Sequence, residues 1–239
     1  MQNHTDLGYG RFDSPTRTAK AVTAERGTLL GKVLGLLAFA FIFTCAGVVV
    51  GSRLGPGTYL LGLIGSLVLV FTLMALRDKS PINLVLLYAF ATFEGLFIGP
   101  LLDSFIGRGM GSIVLDAAAG TAGIALLAGM YGYTTKRDLS GLGSILFIGL
   151  IGVVVTSLIG FFLHLAFLSV IVSMVVVALF SGYIIYDMNR LARTKYATEG
   201  DAIMFTVGLY LDLLNIFLAL LQLLSIFGGG GGGSRRSDW

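Results

Sequence analysis

Seven long runs of apolar residues follow one another along the chain, separated by short clusters of charged residues, glycine and proline. A helix needs about 20 predominantly apolar residues to cross the hydrocarbon core of a bilayer, and each run has roughly that length. We therefore predict an all-α integral membrane protein with seven transmembrane helices. The predicted helices cover residues 29–52, 57–76, 82–103, 111–133, 144–163, 166–188 and 202–227.

The boundary between the fifth and sixth helices is the least obvious one. The apolar stretch 145–186 contains one strongly polar residue, His164, and at 1.5 Å per residue it is too long for a single span. We therefore predict two helices joined by a tight turn at His164. We interpret His164 as a solvated turn residue rather than as a ligand or proton sensor.

Composition supports the membrane assignment and excludes several functions. Of 239 residues, 56% are hydrophobic and 12% are charged. The single cysteine, Cys45, excludes an internal disulfide and a multi-cysteine metal site. We find no phosphate-binding glycine loop, nucleophile elbow or HExxH zinc motif, so we predict neither enzymatic activity nor a required cofactor. The basic residues are dispersed among loops, which argues against a nucleic-acid partner.

The distribution of Lys and Arg predicts the orientation. Alternate loops on one side, including the polar N-terminal arm 1–28, carry eleven basic residues, whereas the other side carries four. The positive-inside rule then places the N-terminus in the cytoplasm and the C-terminus outside, across what we expect to be a bacterial inner membrane. The Gly-rich stretch 228–239 is predicted to be a flexible tail.

Three acidic residues fall inside predicted spans: Glu94, Asp187 and Asp212. Ionisable groups at membrane depth are costly and usually face the bundle interior or a water-filled cavity. Asp187 and Asp212 are equally distant from a turn centred near residues 199–200, so an antiparallel hairpin of helices six and seven should place them at similar depth. We predict that they meet in one layer.

Helix seven carries small or polar residues at spacings of four, three, four and three, which align on one face. A stripe of this kind should face protein or water. Close helix packing alone would explain its small residues and amides, but it does not require an aspartate at the helix centre. The stripe consists of Gly208, Asp212, Asn215, Ala219 and Gln222.

Two carboxylates at one depth are typical of a shared-proton or cation site, because both cannot ionise cheaply when they are close. We predict that Asp187 and Asp212 form such a site, which would bind protons or a cation in a pH-dependent way. Arg77, at the end of helix two, is the candidate latch that pairs with them, with local neutralisation by Asp78 as the alternative. Glu94 and Asn215 are candidates for lining the same pathway, and a local hydrogen bond within the bundle is the alternative for Glu94.

Four stretches of the chain resemble the Bax inhibitor family, also called the transmembrane Bax inhibitor motif family. They occur in the order and spacing of that family and together span most of the membrane domain, 29–227. The stretches are "EGLFIGP" from Glu94, "YGYTTKRDLSGLGS" from Tyr131, "SGYIIYDMNRL" from Ser181 and "LYLDLLNIFLALL" from Leu209.

This resemblance implies two three-helix halves of opposite orientation around a central seventh helix. It also implies a slow calcium leak governed by an aspartate pair, which corresponds to Asp187 and Asp212, and by an arginine of helix two, which corresponds to Arg77. Some bacterial members lack the helix-six aspartate and are associated with a membrane protease. Because this chain retains both aspartates, the calcium-leak branch is favoured.

Two hypotheses follow. The first is a pH-regulated calcium leak channel in the lipid bilayer, with calcium and protons as its ligands. The alternative is a stress-protective interaction protein that modulates a membrane quality-control protease. A proton-coupled transporter, which inverted repeats would suit, is a third. The Asp212 carboxylate discriminates between the first two, because a leak requires it and an adaptor requires surfaces and termini.

Overall fold

The structure is a computed structural model that describes residues 15–55, 57–163, 166–194 and 197–228, with side chains from residue 27 onward except those of residues 161 and 166. Within these ranges all regular secondary structure is helical, and all seven helices are long and apolar enough to cross a membrane. The helices are α1 (Pro15–Leu54), α2 (Thr58–Leu76), α3 (Ile82–Gly107), α4 (Gly111–Thr134), α5 (Leu142–Leu163), α6 (Ala166–Arg193) and α7 (Glu199–Gly228).

The predicted seven spans are confirmed, and most helix ends agree within a few residues. The fifth and sixth helices are separate, as predicted, whereas His164 itself lies outside the described residues. The helix α1 begins earlier than predicted, at Pro15, so part of the N-terminal arm is helical. Proline suits the first turn of a helix, and the following residues include three alanines before Gly27. Residues 1–14 and 229–239, which hold the rest of the arm and nearly all of the tail, are not described.

The hairpin between α6 and α7 is tighter than the sequence predicted. Helix α6 continues to Arg193, because two arginines in its last turn are favourable at the negative end of the helix dipole. Helix α7 begins at Glu199 with a capping box, in which Thr198 and Asp201 satisfy each other's backbone N–H groups. The N–H of Asp201 donates to Thr198 Oγ1 (3.1 Å), and the N–H of Thr198 donates to Asp201 Oδ2 (2.9 Å).

The seven helices form two halves around α7. In the first half α3 packs on both α1 and α2, and in the second α6 packs on both α4 and α5. Because spans alternate in direction, two successive three-helix halves have opposite orientation. Helix α7 contacts α1, α3, α4 and α6, and 56% of its most apolar window is buried, against at most 39% for any other span. The predicted central seventh helix is therefore confirmed.

Helices α1 and α3 approach until their backbones touch. A Cβ atom at Gly51 would lie 2.7 Å from the carbonyl oxygen of Leu96, and one at Gly99 would lie 2.6 Å from that of Val48. Each helix supplies two glycines four residues apart, which is the small-residue spacing that permits close packing in membranes. The four glycines are Gly47, Gly51, Gly95 and Gly99.

Between the two halves lies a largely apolar cavity of about 550 Å³, bounded by α1, α3, α4 and α7. Its lining includes Cys45 of α1, Ile98 of α3, Ala122 of α4 and Phe217 of α7. The Cys45 side chain is exposed. The halves are thus held together mainly through α7 rather than through each other.

The glycine contact predicts a large difference between two chemically identical substitutions. Gly95→Ala would force a methyl group into the carbonyl oxygen of Thr44 on α1, whereas Gly152→Ala in α5 meets nothing within 4 Å. We expect Gly95→Ala to destabilise the protein by about 1–3 kcal/mol, as overpacking does, and Gly152→Ala to be neutral or stabilising. Thermal unfolding of both variants in detergent measures this, and equal midpoints would contradict the close contact.

Candidate functional site

The face of α7 that carries the small and polar stripe packs against α6 in a regular register. Three contacts define it: Ser173 Oγ donates to Gln222 Oε1 (2.6 Å), Asp187 Oδ2 lies 2.8 Å from where a Cβ would stand on Gly208, and the Arg190 guanidinium lies 5.4 Å from the ring centre of Phe205. In each pair the two residue numbers add to 395. The α6–α7 interface along these pairs is hereafter the seam.

The seam has the spacing of a coiled coil. On each helix its residues recur every three or four positions, so the two faces stay opposed over about six layers. The α6 side comprises Ser173, Val176, Phe180, Tyr183, Asp187 and Arg190, opposite Gln222, Ala219, Asn215, Asp212, Gly208 and Phe205 respectively.

This register corrects the predicted depth of the aspartate pair. Asp187 is level with Gly208, and Asp212 is level with Tyr183, so the two carboxylates are offset by one helical turn, or roughly 6 Å along the axis. The predicted equality assumed a turn centred near residues 199–200. In the observed register, in which facing residue numbers add to 395, the centre lies closer to residues 197–198.

The structure nevertheless brings Asp187 and Asp212 into one cluster. Asp187 is near enough to influence Asp212 electrostatically, and Tyr183 lies within electrostatic range of both. Asp212 is 5% exposed, and its Oδ2 atom is buried without a hydrogen-bond partner among the described residues. A buried carboxylate oxygen without a donor is energetically unfavourable, so this residue reduces stability at the helix where the whole fold converges.

Among the described residues, the basic side chain that interacts electrostatically with Asp187 is Arg190, one turn farther along α6. Its guanidinium stacks on the Phe205 ring and lies within electrostatic range of Asp187 and Asp201. Sequence reasoning counted Arg190 as a loop residue, because α6 was predicted to end at residue 188. Its spacing of three from Asp187, which puts both on one helix face, was the signal that could have identified it.

Arg77, the predicted latch, lies elsewhere in this structure. Its Nε donates to Asp78 Oδ2 at 3.4 Å, and both side chains are exposed, at 49% and 65%. This is the local neutralisation that the sequence offered as the alternative. The segment carrying Arg77 packs on the first turn of α7, because Asp78 lies against Gly200. The side chain of Asn83 fixes the segment by donating to the Arg77 carbonyl (2.8 Å).

The two candidate pathway residues do not join the aspartate pair. Glu94 is half-buried in α3, where it faces Ser66 of α2 and Tyr210 of α7. Tyr210 lies on the opposite side of α7 from Asp212, with its hydroxyl bonded to Thr44 Oγ1 of α1 (2.8 Å). Asn215 lies in the seam, but its Nδ2 donates to the Leu211 carbonyl of its own helix (2.7 Å). A pathway role for either residue stays a prediction.

The end of α6 is tied to the loop after α4. The fully buried Asn189 donates to the carbonyl of Gly132 (3.2 Å), and Arg193 donates to that of Lys136 (2.9 Å). The first bond satisfies a carbonyl in the last turn of α4 that lacks an intrahelical partner, and the second holds the loop that follows α4. In the same loop the N–H of Ser140 donates to Asp138, which holds the pKa of that carboxyl below its ordinary value. Two of the four sequence motifs therefore meet here.

A polar cavity of about 350 Å³ opens beside this junction. Its lining includes Asp138 and Ser140 from the loop and Tyr186, Asn189 and Arg190 from α6. Asp187 does not line this cavity, but Arg190, which interacts electrostatically with it, does, so the cavity lies at the end of the seam nearest the α6–α7 turn.

Comparison with known proteins agrees with this arrangement. The family model described as "Inhibitor of apoptosis-promoting Bax1" matches residues 26–229. The chain is 34% identical over 166 residues to "Modulator of FtsH protease YccA" of Escherichia coli, covering 68% of this chain and 74% of that protein. It is 31% identical over 233 residues to the "Golgi anti-apoptotic protein" of vaccinia virus, covering 92% of each. An uncharacterized protein of Helicobacter pylori is 38% identical over 164 residues, covering 69% and 70%.

The unpartnered carboxylate oxygen predicts that Asp212→Asn stabilises the protein. The amide keeps the shape of the side chain and removes the ionisable group, so we expect a gain of about 1–3 kcal/mol at neutral or higher pH. The gain should shrink in acid, where the wild-type carboxyl is neutral. Unfolding in detergent across pH measures it.

The matched control is Asp116→Asn in α4, since that side chain is exposed. It should leave the midpoint of unfolding unchanged. A loss of stability in Asp212→Asn at all pH values would show that the carboxylate is a structural partner rather than a costly group.

Proposed function

Because this chain belongs to the Bax inhibitor family, we propose that it is a pH-regulated calcium leak channel whose proton and cation site is the pair Asp187 and Asp212. One observation carries the proposal. Asp212 Oδ2 is buried within the central helix with no donor from any residue that the structure describes, next to a second acid one turn away. A group that costs stability at this position is expected where protons or cations bind.

The few oxygen ligands that Asp187 and Asp212 can offer favour the passage of calcium over its tight binding. Calcium takes six to eight oxygen ligands, whereas the described residues hold no group of three or more acidic, histidine or cysteine side chains that could bind a metal. Asp187 and Asp212 would supply only part of a coordination shell, leaving water and carbonyl oxygens to complete it. A partial shell binds weakly, and conduction requires binding weak enough for the ion to leave.

Protons would compete with calcium and also change the packing of the seam. At alkaline pH the ionised aspartates attract Arg190, which would hold α6 and α7 together at the end of the seam nearest their turn. Protonating one carboxyl weakens this attraction, and a change of about 1.4 kcal/mol shifts an open population roughly tenfold. Among the described side chains, Tyr183 and Arg190 are the titratable and charged groups that interact electrostatically with the pair.

We further propose the orientation that the basic residues predict. The loops after α2, α4 and α6 would face the cytoplasm, together with the N-terminus. The polar cavity beside Arg190 would then be the cytoplasmic entrance. The Escherichia coli relative is also described as an inner membrane protein, which supports the same location for this chain.

The second candidate function is modulation of a membrane protease. The observation that favours it is the 34% identity to the relative named modulator of FtsH protease. An adaptor of this kind would act through its exposed surfaces and termini, so it would not need the buried Asp212. Activity that survives Asp212→Asn would therefore favour the adaptor.

Calcium flux into liposomes containing the purified protein tests the leak directly. We expect Asp187→Asn and Asp212→Asn each to abolish the normal pH dependence, and the double variant to add little, because the two residues act as one unit. Asp116→Asn and protein-free liposomes are the controls. Additive effects of the two substitutions would contradict the proposal that the aspartates act as one unit. Flux no greater than in protein-free liposomes would contradict the proposal that the protein is a calcium leak.

The same assay identifies the counter-charge. Arg190→Gln should leak more than wild type near pH 8 and respond less to acid, because the attraction that closes the seam is already absent. Wild-type flux should rise as pH falls from about 8 toward 6. Arg77→Ala should resemble wild type, since its ion pair is with Asp78. If instead Arg77→Ala flattens the pH response and Arg190→Gln does not, the latch predicted from the sequence is correct.

A further inference from the structure

Beyond the aspartate pair, the seam loses its polar character and then regains it. Asp187 and Asp212 occupy neighbouring layers, and the next polar contact is the bond between Ser173 and Gln222, ten residues along α7 from Asp212. At 1.5 Å per residue the two polar regions are roughly 15 Å apart. Two layers lie between them.

In the register of the seam, the first intervening layer places Phe180 opposite Asn215, whose Nδ2 donates to the backbone of its own helix, and the second places Val176 opposite Ala219. Apart from the Asn215 amide, the side chains of these two layers are apolar. Phe180 is 8% exposed and belongs to the same core cluster as Leu209 and Ile216 of α7. It is the largest side chain of these layers.

The Phe180 ring lies immediately next to the acidic layer. Its centre is 5.8 Å from that of Tyr183, the residue level with Asp212. An ion leaving the aspartate pair along the seam toward Ser173 would therefore meet this ring first. Apolar constrictions block ions because water, and the hydration shell an ion needs, is unstable inside them.

We propose that Phe180, with Val176 and Ala219, forms the apolar gate of the leak, and that the Ser173–Gln222 pair marks the far mouth of the same pathway. The proposal rests on the calcium-leak function and names the barrier and route that function would use. Gln222 is exposed, as the mouth of a pathway requires. Ser173 is 2% exposed, and its hydroxyl points across the seam rather than to its own helix.

Calcium flux in liposomes provides the first test. Phe180→Ala should raise the flux by about tenfold, since it removes the largest side chain of the two intervening layers. Phe180→Leu should stay near wild type, and Ala219→Leu, which adds bulk to the next layer, should lower the flux.

Phe90→Ala is the matched control. Phe90 is also buried, at 1% exposed, and its ring also packs on a tyrosine of the bundle, Tyr210, with centres 5.5 Å apart. The substitution Phe90→Ala removes the same atoms as Phe180→Ala, but on the opposite side of α7, away from the seam. Equal flux through Phe180→Ala and Phe90→Ala would overturn the gate, because leakage would then report general loosening.

A second measurement separates the gate from the leak function. In a Cys45→Ala background, Asn215→Cys places a single thiol inside the apolar layer. We expect slow labelling by a water-soluble maleimide and about tenfold faster labelling when Phe180→Ala is added but not when Phe90→Ala is added. This readout needs no ion flux. Fast labelling of the thiol while Phe180 is present overturns the gate, even if the protein leaks calcium. If labelling is slow and Phe180→Ala accelerates it, but no calcium flux is detected, the gate stands and only the leak function is overturned.

Discussion

The enclosure of one ionisable side chain by a bilayer protein is the constraint on which the rest of this structure depends. Asp212 can occupy the middle of a transmembrane helix only if that helix is surrounded by protein. Helix α7 meets this requirement because both halves pack on it, and it is accordingly the most buried span. The inverted arrangement of the halves supplies neighbours on all sides without a large direct contact between them.

The α1–α3 contact and the α6–α7 seam hold their helices together by different physical means. In the first half, glycines bring the backbones of α1 and α3 into contact, which leaves little room for adjustment without a clash. Along the α6–α7 seam, side chains of very different size and polarity face each other in successive layers. Side chains can change rotamer or protonation state while the backbones stay in place. Asp187 and Asp212 belong to this seam, where a change of protonation state does not require the backbones to move.

Much of this was predictable because membrane insertion leaves strong signals. Apolar run length predicted the seven spans. The spacing of Gly208, Asp212 and Gln222 predicted a face of α7 that meets protein or water, and in the structure this face packs on α6. The offset between Asp187 and Asp212 was not predictable, because it depends on where two helices end within a few residues. Arg190 was missed for the same reason, since a helix predicted to end at residue 188 leaves it in a loop. The glycine pairs of α1 and α3 have the spacing that permits close helix packing, so this contact could have been predicted from the sequence as well.

The position of the single cysteine has a practical consequence. Cys45 is exposed and lines the cavity between the halves, together with residues of α3, α4 and α7. Since the chain has no other cysteine, a thiol-reactive fluorophore or spin label would attach at one known place without any substitution. The unaltered protein therefore carries its own attachment point for a spectroscopic reporter, located where relative movement of the two halves would alter the polarity and crowding that the reporter senses.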